Sequence, residues 1–482
     1  MSPSTHSPSR HADSPLPLEM TVERKIPLGD SIITISTVSS TAKLAEDKKK
    51  EKSTGDEYDP FAERNLDNAY SDVGALAHLL KSSLGSGILA MPNAFRNAGL
   101  AFGMVATLFV GLICTHTVQI LVKCSQELCR RTKVPFLGFG ETAEAAFKTS
   151  CFERLRSYSK FARNFVVLAI LSTYYGSCCV YVVFIGESLH KVCGYYVPWM
   201  NDLDVRVYMV VMLPVFLGLV LVRQLKHMVP VSVAADVALL VSLVITLYYT
   251  LSGVPSASER DLIAPVSQLP LFFSTVIFAM EGIGVVMPVE NSMKNPQRFL
   301  GCPGVLNITM SIVVGLYAII GFCGYLKYGP DTEGSVTLNL PSDEPLAQSV
   351  NILIALAIVL TYGLQMFVPN DISLALVMEK VPPHRAELVQ YCYRIGTCLA
   401  TVAVAVAIPK LEPIISLVGS VFVSTLGLFC PAVLETVVFW EDGMGRLNWR
   451  LWKNIFIAAF SIFGLVTGSY VAVLEIIRTY SG

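Results

Sequence analysis

Residues 85–92 read Gly-Ser-Gly-Ile-Leu-Ala-Met-Pro, and they interrupt the first long apolar segment of the chain. Residues 281–288 repeat the pattern as Glu-Gly-Ile-Gly-Val-Val-Met-Pro inside the sixth apolar segment. Each glycine costs about 1 kcal/mol in a helix, and such positions free the backbone to unwind. The first segment runs outward and the sixth inward, so the sequence predicts two broken membrane helices that are antiparallel.

The composition indicates an integral membrane protein. Of the 482 residues, 53% are hydrophobic and only 15% are charged, whereas a soluble domain carries about 25% charge. The net charge of −1 gives no basis for nucleic-acid binding. No constellation of metal ligands or nucleophiles lies at membrane depth, so we expect no enzyme activity, no metal and no cofactor.

Eleven apolar segments have about the 20 residues that a helix needs to cross a bilayer. Only helices satisfy their backbone within lipid without closing a barrel, so we predict an all-α transporter domain over residues 71–482. The segments lie near 73–90, 100–122, 164–189, 206–222, 230–252, 269–289, 304–326, 347–368, 388–408, 412–438 and 453–477.

The loops and the tail indicate the orientation. Lys and Arg concentrate in the loop after the second segment and in alternate loops thereafter, which places these loops and the N-terminus in the cytosol. Residues 1–70 are rich in Ser, Pro, Lys and Glu, so we expect a disordered cytosolic tail without a cleavable signal peptide. Within it, residues 58–61 (Tyr-Asp-Pro-Phe) fit a tyrosine-based sorting signal.

We expect neither a disulfide framework among the cysteines nor glycosylation at the sequon. The twelve cysteines lie mostly in apolar segments or basic loops, so we expect buried or reduced thiols. A bridge between Cys193 and Cys323 on the luminal side is one option, and two unpaired thiols are the favoured one. The sequon at Asn307 starts the seventh segment on the cytoplasmic side, so we expect it to stay unmodified.

The paired glycine motifs have two interpretations. Small residues in membrane helices often serve only close packing. Unwound backbone at membrane depth is tolerated where it lines a cavity, and paired interrupted helices in two halves are typical of a transporter's binding site. One break alone would favour packing, whereas two matched breaks favour a binding site.

Two ionisable residues stand near these motifs. His78 precedes Gly85 by seven residues, about 10 Å along a helix, and histidine titrates between acidic and neutral compartments. Glu281 at the second motif could accept a proton, bind a substrate ammonium or pair with Lys81. A hydrogen-bonded structural histidine and a glutamate that caps unwound N–H groups are the alternatives.

Four further aromatic or polar residues could line the substrate path. Phe278 and Tyr174 could close an apolar pocket, and Tyr362 and Gln365 share one face of the eighth segment. Packing is the usual role of such aromatics in membrane helices.

Five stretches carry a resemblance to a known family. At these residues the chain resembles the proton-coupled amino acid transporters of the amino acid–auxin permease group, and in overall form their insect branch. The resemblance covers residues 73 to about 477. The stretches are HLLKSSLGSGILAMPNAFRNAG (78–99), VKCSQELCRR (122–131), FAMEGIGVVMPVENSMKNP (278–296), LNLP (338–341) and TYGLQMFVP (361–369).

The resemblance implies a leucine-transporter-type fold of 5+5 inverted repeats with helices 1 and 6 broken. It implies symport of protons with alanine, glycine or proline into the cytosol, at the plasma membrane or at lysosomes and late endosomes. The family's proton-coupling histidine falls on His78, and Glu281 is our second candidate for that role. Substrate-binding positions fall on Ser83, Leu84, Gly85, Ser86 and Gly87, and on Phe278, Ala279, Met280, Glu281 and Gly282.

The resemblance has two departures, and it leaves two other functions open. Ser82-Ser83 replace a Gly-Asn pair of better known members, and Ser342-Asp343 stand where some members have a luminal cysteine. A sodium-coupled carrier could use the same fold, and an amino acid-sensing protein could signal to growth control through nutrient-signalling partners. The expected partners of the proton-coupled transporter are an amino acid, protons and the lipid bilayer, and no nucleic acid.

Overall fold

The structure is a computed structural model that describes residues 58–62, 64, 69–222, 225–280, 282–378 and 381–481. Within these ranges, nine helices are long and apolar enough to cross a membrane, and a tenth span is a bent pair. A shorter apolar helical segment, Val205–Val220, lies where the fourth segment was predicted. The predicted all-α membrane fold is therefore confirmed.

We number the membrane helices α1 to α11 in chain order, with a and b for the halves of a broken helix. They are α1a Asp72–Ser83, α1b Gly87–Arg96, α2 Leu100–Thr132, α3 Ser159–Tyr196, α4 Val205–Val220, α5 Leu225–Leu251, α6a Leu269–Ala279, α6b Ile283–Asn291, α7 Val305–Tyr328, α8 Pro345–Met378, α9 Ala386–Ala407, α10 Leu411–Val438 and α11 Trp449–Ser481.

Several helices extend beyond the apolar windows that predicted them. The window 100–122 became α2, which continues to Thr132, and the window 164–189 became α3, which spans Ser159–Tyr196. An apolar window measures the thickness of the hydrocarbon, whereas a helix continues as long as its backbone bonds are satisfied. The apolar windows therefore did not include the polar ends of these helices.

Both predicted breaks are present. The N-terminus of α1a is capped by Ser71, whose hydroxyl accepts a hydrogen bond from the Gly74 N–H at 3.2 Å. This helix ends at Ser83, and α1b resumes at Gly87 with a bend of 51°. The second break separates α6a from α6b between Ala279 and Ile283, and these two halves belong to one span.

Glycines let α7 pack closely against α1b. A Cβ atom at Gly321 would lie 2.4 Å from Phe95 Cδ2, and one at Gly324 would lie 2.3 Å from Pro92 Cγ. Both contacts are far below van der Waals distance, so any larger residue would push the helices apart. This packing fixes α1b, the second half of the broken first helix, against α7.

At one end of the bundle, the chain that enters α1a is bound to the chain that leaves α6b. The N–H of Tyr70 donates to Ser292 O at 2.7 Å, and the N–H of Lys294 donates to Tyr70 O at 2.9 Å. Further upstream, the buried Arg64 guanidinium lies 3.4 Å from the Glu290 carboxylate. Most of the predicted tail, residues 1–70, lies outside the described residues, so its disorder stays a prediction.

All twelve cysteines lie in the described part of the chain, and all are free thiols, including Cys193 and Cys323. Asn307 lies in the first turn of α7, where its side chain accepts a hydrogen bond from Gln119 at 2.6 Å and donates to Gly301 O at 3.2 Å. The sequon side chain is thus held by contacts within the protein.

Candidate functional site

The two breaks face one small cavity in the middle of the bundle. Its volume is about 70 Å³, and residues of α1, α3, α6, α8 and α10 line it. The lining residues are Ser82, Ser83, Gly85, Ser86, Gly87, Thr173, Tyr174, Tyr181, Phe278, Ala279, Gly282, Ile283, Gly284, Val285, Gln365 and Leu426.

The first break is shaped by Gly87 more than by Gly85. A Cβ atom at Gly87 would lie 2.6 Å from Ala279 Cα, so the start of α1b packs directly on the end of α6a. At Gly85 an added Cβ would meet only the Tyr181 hydroxyl, at 4.0 Å. Glycine at 87 is therefore a steric requirement, whereas glycine at 85 leaves room that belongs to the cavity.

The glycines of the second break allow two further close approaches. A Cβ atom at Gly282 would lie 3.1 Å from the Ser83 hydroxyl, and one at Gly284 would lie 2.8 Å from the Tyr174 hydroxyl. The break ends at Gly282, near the start of the glycine motif, because Ile283 and Gly284 already belong to α6b. The motif thus brings α6b close to α1a and α3.

A tyrosine of α7 joins the two breaks. The Tyr317 hydroxyl hydrogen-bonds the carbonyl oxygen of Ser83 and lies 2.9 Å from the carbonyl oxygen of Ala279. Ser83 is the last residue of α1a and Ala279 the last of α6a. The Tyr317 side chain is fully buried, so one hydroxyl bridges two helix ends inside the bundle.

Four helix ends meet at the cavity, and their partial charges form a pattern. The C-termini of α1a and α6a carry partial negative charge on their carbonyls, and the N-termini of α1b and α6b carry partial positive charge on their N–H groups. A free amino acid has an ammonium and a carboxylate on adjacent atoms. The arrangement therefore suits a zwitterion, since each of its charges can meet a helix end of opposite sign.

Seven of the ten predicted substrate-binding residues line this cavity, two lie elsewhere, and one is not among the described residues. Leu84 is partly buried and packs against the apolar core, and Met280 is buried without lining the cavity. Glu281 lies outside the described residues. The seven are Ser83, Gly85, Ser86, Gly87, Phe278, Ala279 and Gly282.

His78 lies on α1a but not among the residues that line the cavity. Its ring is partly buried and lies 4.5 Å from the ring of Tyr70, measured between centroids. Lys81, one turn further on, forms an ion pair with Asp236 of α5 at 2.6 Å.

The cavity contains some of the residues that the sequence predicted on the other helices, together with residues that it did not predict. Tyr174 and Gln365 line the cavity as expected. Tyr362 does not, because its hydroxyl lies 2.9 Å from the Thr401 hydroxyl on α9. Thr173, Tyr181, Leu426 and Tyr317 were missed, since nothing in one sequence shows which face of α3, α7 or α10 meets the breaks.

Comparisons with known proteins agree with this geometry. A family described as "Transmembrane amino acid transporter protein" matches residues 70–474. "Proton-coupled amino acid transporter-like protein pathetic" of Drosophila melanogaster is 42% identical over 427 residues, which cover 89% of this chain and 90% of that protein. "Probable amino acid transporter skat-1" of Caenorhabditis elegans is 26% identical and covers 84% of this chain and 90% of its own.

The fold also has a counterpart among solved structures. The inward-facing conformation of Mhp1 superposes with a TM-score of 0.52 at 10% identity, over 87% of this chain and 92% of that one. At this identity the likeness shows the fold alone, which is of the leucine-transporter type. The relatives are named as transporters and not as enzymes. With its breaks, its central cavity and a match over residues 70–474, the chain belongs to the family of transmembrane amino acid transporters.

Proposed function

We propose that this protein is a proton-coupled symporter that carries small neutral amino acids, of the alanine, glycine and proline class, into the cytosol. The observation that carries the proposal is the pair of broken helices facing one small cavity. The Drosophila relative, named "Proton-coupled amino acid transporter-like protein pathetic", supports amino acids as the substrate and protons as the coupling ion.

In this proposal the substrate carboxylate lies at the N–H groups that start α1b and α6b, near Gly85, Ser86, Gly87 and Gly282. The ammonium group lies toward the carbonyl ends of α1a and α6a. The side chain faces Tyr174 and Phe278, whose rings line the cavity. A cavity of about 70 Å³ leaves little room there, which favours small side chains.

His78 is our candidate for the proton-coupling group, and Glu281 is the second. A proton that crosses a difference of two pH units releases about 2.7 kcal/mol, enough for roughly 100-fold accumulation of substrate. A membrane potential adds about 2.3 kcal/mol per 100 mV. One proton per amino acid is therefore sufficient to drive uptake from an acidic compartment.

Uptake by purified protein in liposomes tests the proposal. Labelled alanine should accumulate inside when the outside is acidic, equally in sodium and in choline, and a protonophore together with a voltage clamp by valinomycin should abolish the accumulation. Accumulation that survives the collapse of both gradients contradicts proton coupling. Uptake that disappears when choline replaces sodium assigns the protein to the sodium-coupled class instead.

We also propose that the protein works at the lysosomal or late endosomal membrane and at the plasma membrane, with its N-terminus in the cytosol. The sorting signal at Tyr58–Phe61 supports this location. The contact of Arg64 with Glu290, at the end of α6b, supports a second role in which tail partners sense the state of the transporter.

A deletion of residues 1–57 separates transport from signalling, because it keeps Arg64. A transporter alone keeps its flux and its effect on growth. A signalling protein keeps its flux and loses the effect on growth, as measured in cells that depend on the gene.

A further inference from the structure

The bridging hydroxyl of Tyr317 lies where the negative ends of two helix dipoles meet. It contacts the last carbonyl of α1a at Ser83 and the last carbonyl of α6a at Ala279. The final carbonyls of a helix have no partner within it, and they form the negative end of the helix dipole. Two such ends converge here at membrane depth, where each freed carbonyl needs a donor or a cation.

Backbone packing sets the separation of these two carbonyls. Gly87 lies against Ala279, and Gly282 lies against Ser83, so the broken helices cannot spread without losing both contacts. In transporters with broken helices, unwound carbonyls and helix C-termini are the groups that coordinate sodium ions or protons. The carbonyls that Tyr317 bridges are therefore of the kind that would otherwise hold a cation.

We propose that the Tyr317 hydroxyl stands in for a coupling cation at this place, so that the breaks keep their shape without sodium. The single O–H of Tyr317 is shared between the two carbonyls, donating to Ser83 O and lying 2.9 Å from Ala279 O, and it adds no net charge to the site. The inference rests on the proposed amino acid symport and deepens it, because it gives a structural reason for a sodium-independent cycle. Tyr317 is a positioning residue in this view, since it acts on the substrate through the helix ends.

The test compares Tyr317→Phe with Tyr362→Phe in liposomes that contain either sodium or choline. Both tyrosines are fully buried, and each loses only a hydroxyl, but Tyr362 bonds Thr401 away from the cavity. We expect Tyr317→Phe to raise KM for alanine about tenfold in choline, which corresponds to one buried hydrogen bond. Sodium should lower this KM again, whereas wild type and Tyr362→Phe should not respond to sodium.

A second measurement needs no transport. Sodium should raise the thermal unfolding midpoint of Tyr317→Phe above its value in choline, because an ion that binds only the folded state stabilises it. The midpoints of wild type and Tyr362→Phe should be the same in both salts. A second variant, Tyr317→Gln, keeps a neutral donor and should behave more like wild type in both measurements.

The outcomes separate this inference from the proposed function. Wild type that carries no amino acid in a pH gradient counts against the proposed symport. Wild type that transports normally, together with a Tyr317→Phe variant whose KM and midpoint ignore sodium, overturns the inference about Tyr317 alone. A Tyr317→Phe variant that is recovered from membranes only in sodium supports it.

Discussion

In the proposed symport, His78 is the residue on which proton coupling would depend most. It lies on α1a, five residues before the cavity-lining Ser83, and its ring contacts Tyr70. Replacing it with Gln keeps a hydrogen-bonding side chain but removes the titration. We expect His78→Gln to lose the roughly 100-fold accumulation that two pH units can drive, while exchange of labelled for unlabelled alanine continues.

The matched control is His116→Gln. His116 is also a partly buried histidine in a membrane helix, but it lies on α2 and not among the cavity-lining residues. It should leave pH-driven accumulation within about twofold of wild type, which is less than 0.5 kcal/mol. If His78→Gln accumulates alanine as wild type does, the proton relay lies elsewhere, and Glu281→Gln becomes the next variant to measure.

The broken helices show what a pattern of residues can and cannot predict. The repeated glycine motif correctly predicted two antiparallel breaks, because glycine lowers the cost of unwinding wherever it occurs. It did not predict the difference in bending. The two halves of α1 meet at an angle of 51°, whereas both halves of α6 lie within a single span, Val266–Asn291. It also missed the two π-helical stretches in α10, Gly419–Val423 and Thr425–Phe429.

The missed features depend on contacts between distant parts of the chain. Gly419 of α10 approaches α6a so closely that a Cβ atom there would lie 2.1 Å from Ser274 O. The contact of Tyr317 with Ser83 likewise joins α7 to α1a. Hydrophobic periodicity reports only whether a residue is apolar, and so it cannot specify which neighbouring helix that residue meets.

Gly87 tests whether the two broken helices must touch. Gly87→Ala places a methyl group 2.6 Å from Ala279 Cα, so the helices must separate, at a cost of about 1–3 kcal/mol. We expect a lower thermal midpoint and a loss of alanine uptake that exceeds the loss of protein from the membrane. The midpoint can be measured on the purified protein in detergent, and the uptake on liposomes reconstituted from the same samples.

Gly315→Ala is the corresponding control. Gly315 lies in α7, and an added Cβ would meet nothing within 4 Å. Alanine in a helix interior is favoured over glycine by about 0.5–1 kcal/mol, so this variant should be at least as stable as wild type and should transport normally. Equal behaviour of the two variants would show that the close contact at Gly87 has no importance.

Polar contacts connect neighbouring segments at both ends of the bundle. At one end, Glu412 at the start of α10 accepts hydrogen bonds from Arg96 at 2.7 Å and Asn97 at 2.8 Å. At the other end, Glu290 contacts Arg64 and accepts a hydrogen bond from Gln126 at 2.8 Å. Each set binds one half of a broken helix to a neighbouring segment, so alternating access requires the two sets to open in turn.

The Arg64–Glu290 pair should be the strongest contact at its end of the bundle, because the exposed fractions of its side chains are only 4% and 1%. Removing one partner of a buried pair costs about 3–5 kcal/mol, since the other charge stays buried. We therefore expect Arg64→Ala to lower the thermal midpoint markedly and to favour the state that is open to the cytosol. The double variant Arg64→Ala with Glu290→Gln should recover part of the loss.

Arg298→Ala provides the comparison for a surface pair. Arg298 contacts Asp72 at 3.1 Å on the same face, but its side chain is 72% exposed. Such pairs contribute about 0–1 kcal/mol, so the midpoint should hardly move. A midpoint that falls equally in Arg298→Ala and Arg64→Ala would mean that burial of the Arg64 pair does not determine its effect.

The general plan of the molecule was accessible from the sequence because a bilayer restricts the chain to helices of one length class. The apolar segments predicted the helices. The Lys and Arg residues of alternate loops predicted an orientation. The pairing of Lys81 with Asp236 and the contact of Arg64 with Glu290 were not accessible. Each depends on a side chain that finds its partner in a distant segment, and many charged residues could have been that partner.

The most direct test of proton-coupled symport is to follow protons and amino acid together. Purified protein in liposomes with a trapped pH indicator should acidify the interior when alanine is added outside at equal pH, with a negative potential set by potassium and valinomycin. Proton and alanine influx should share one dependence on alanine concentration, and sodium should be unnecessary. Alanine influx with no proton influx, under the same potential, would contradict the account.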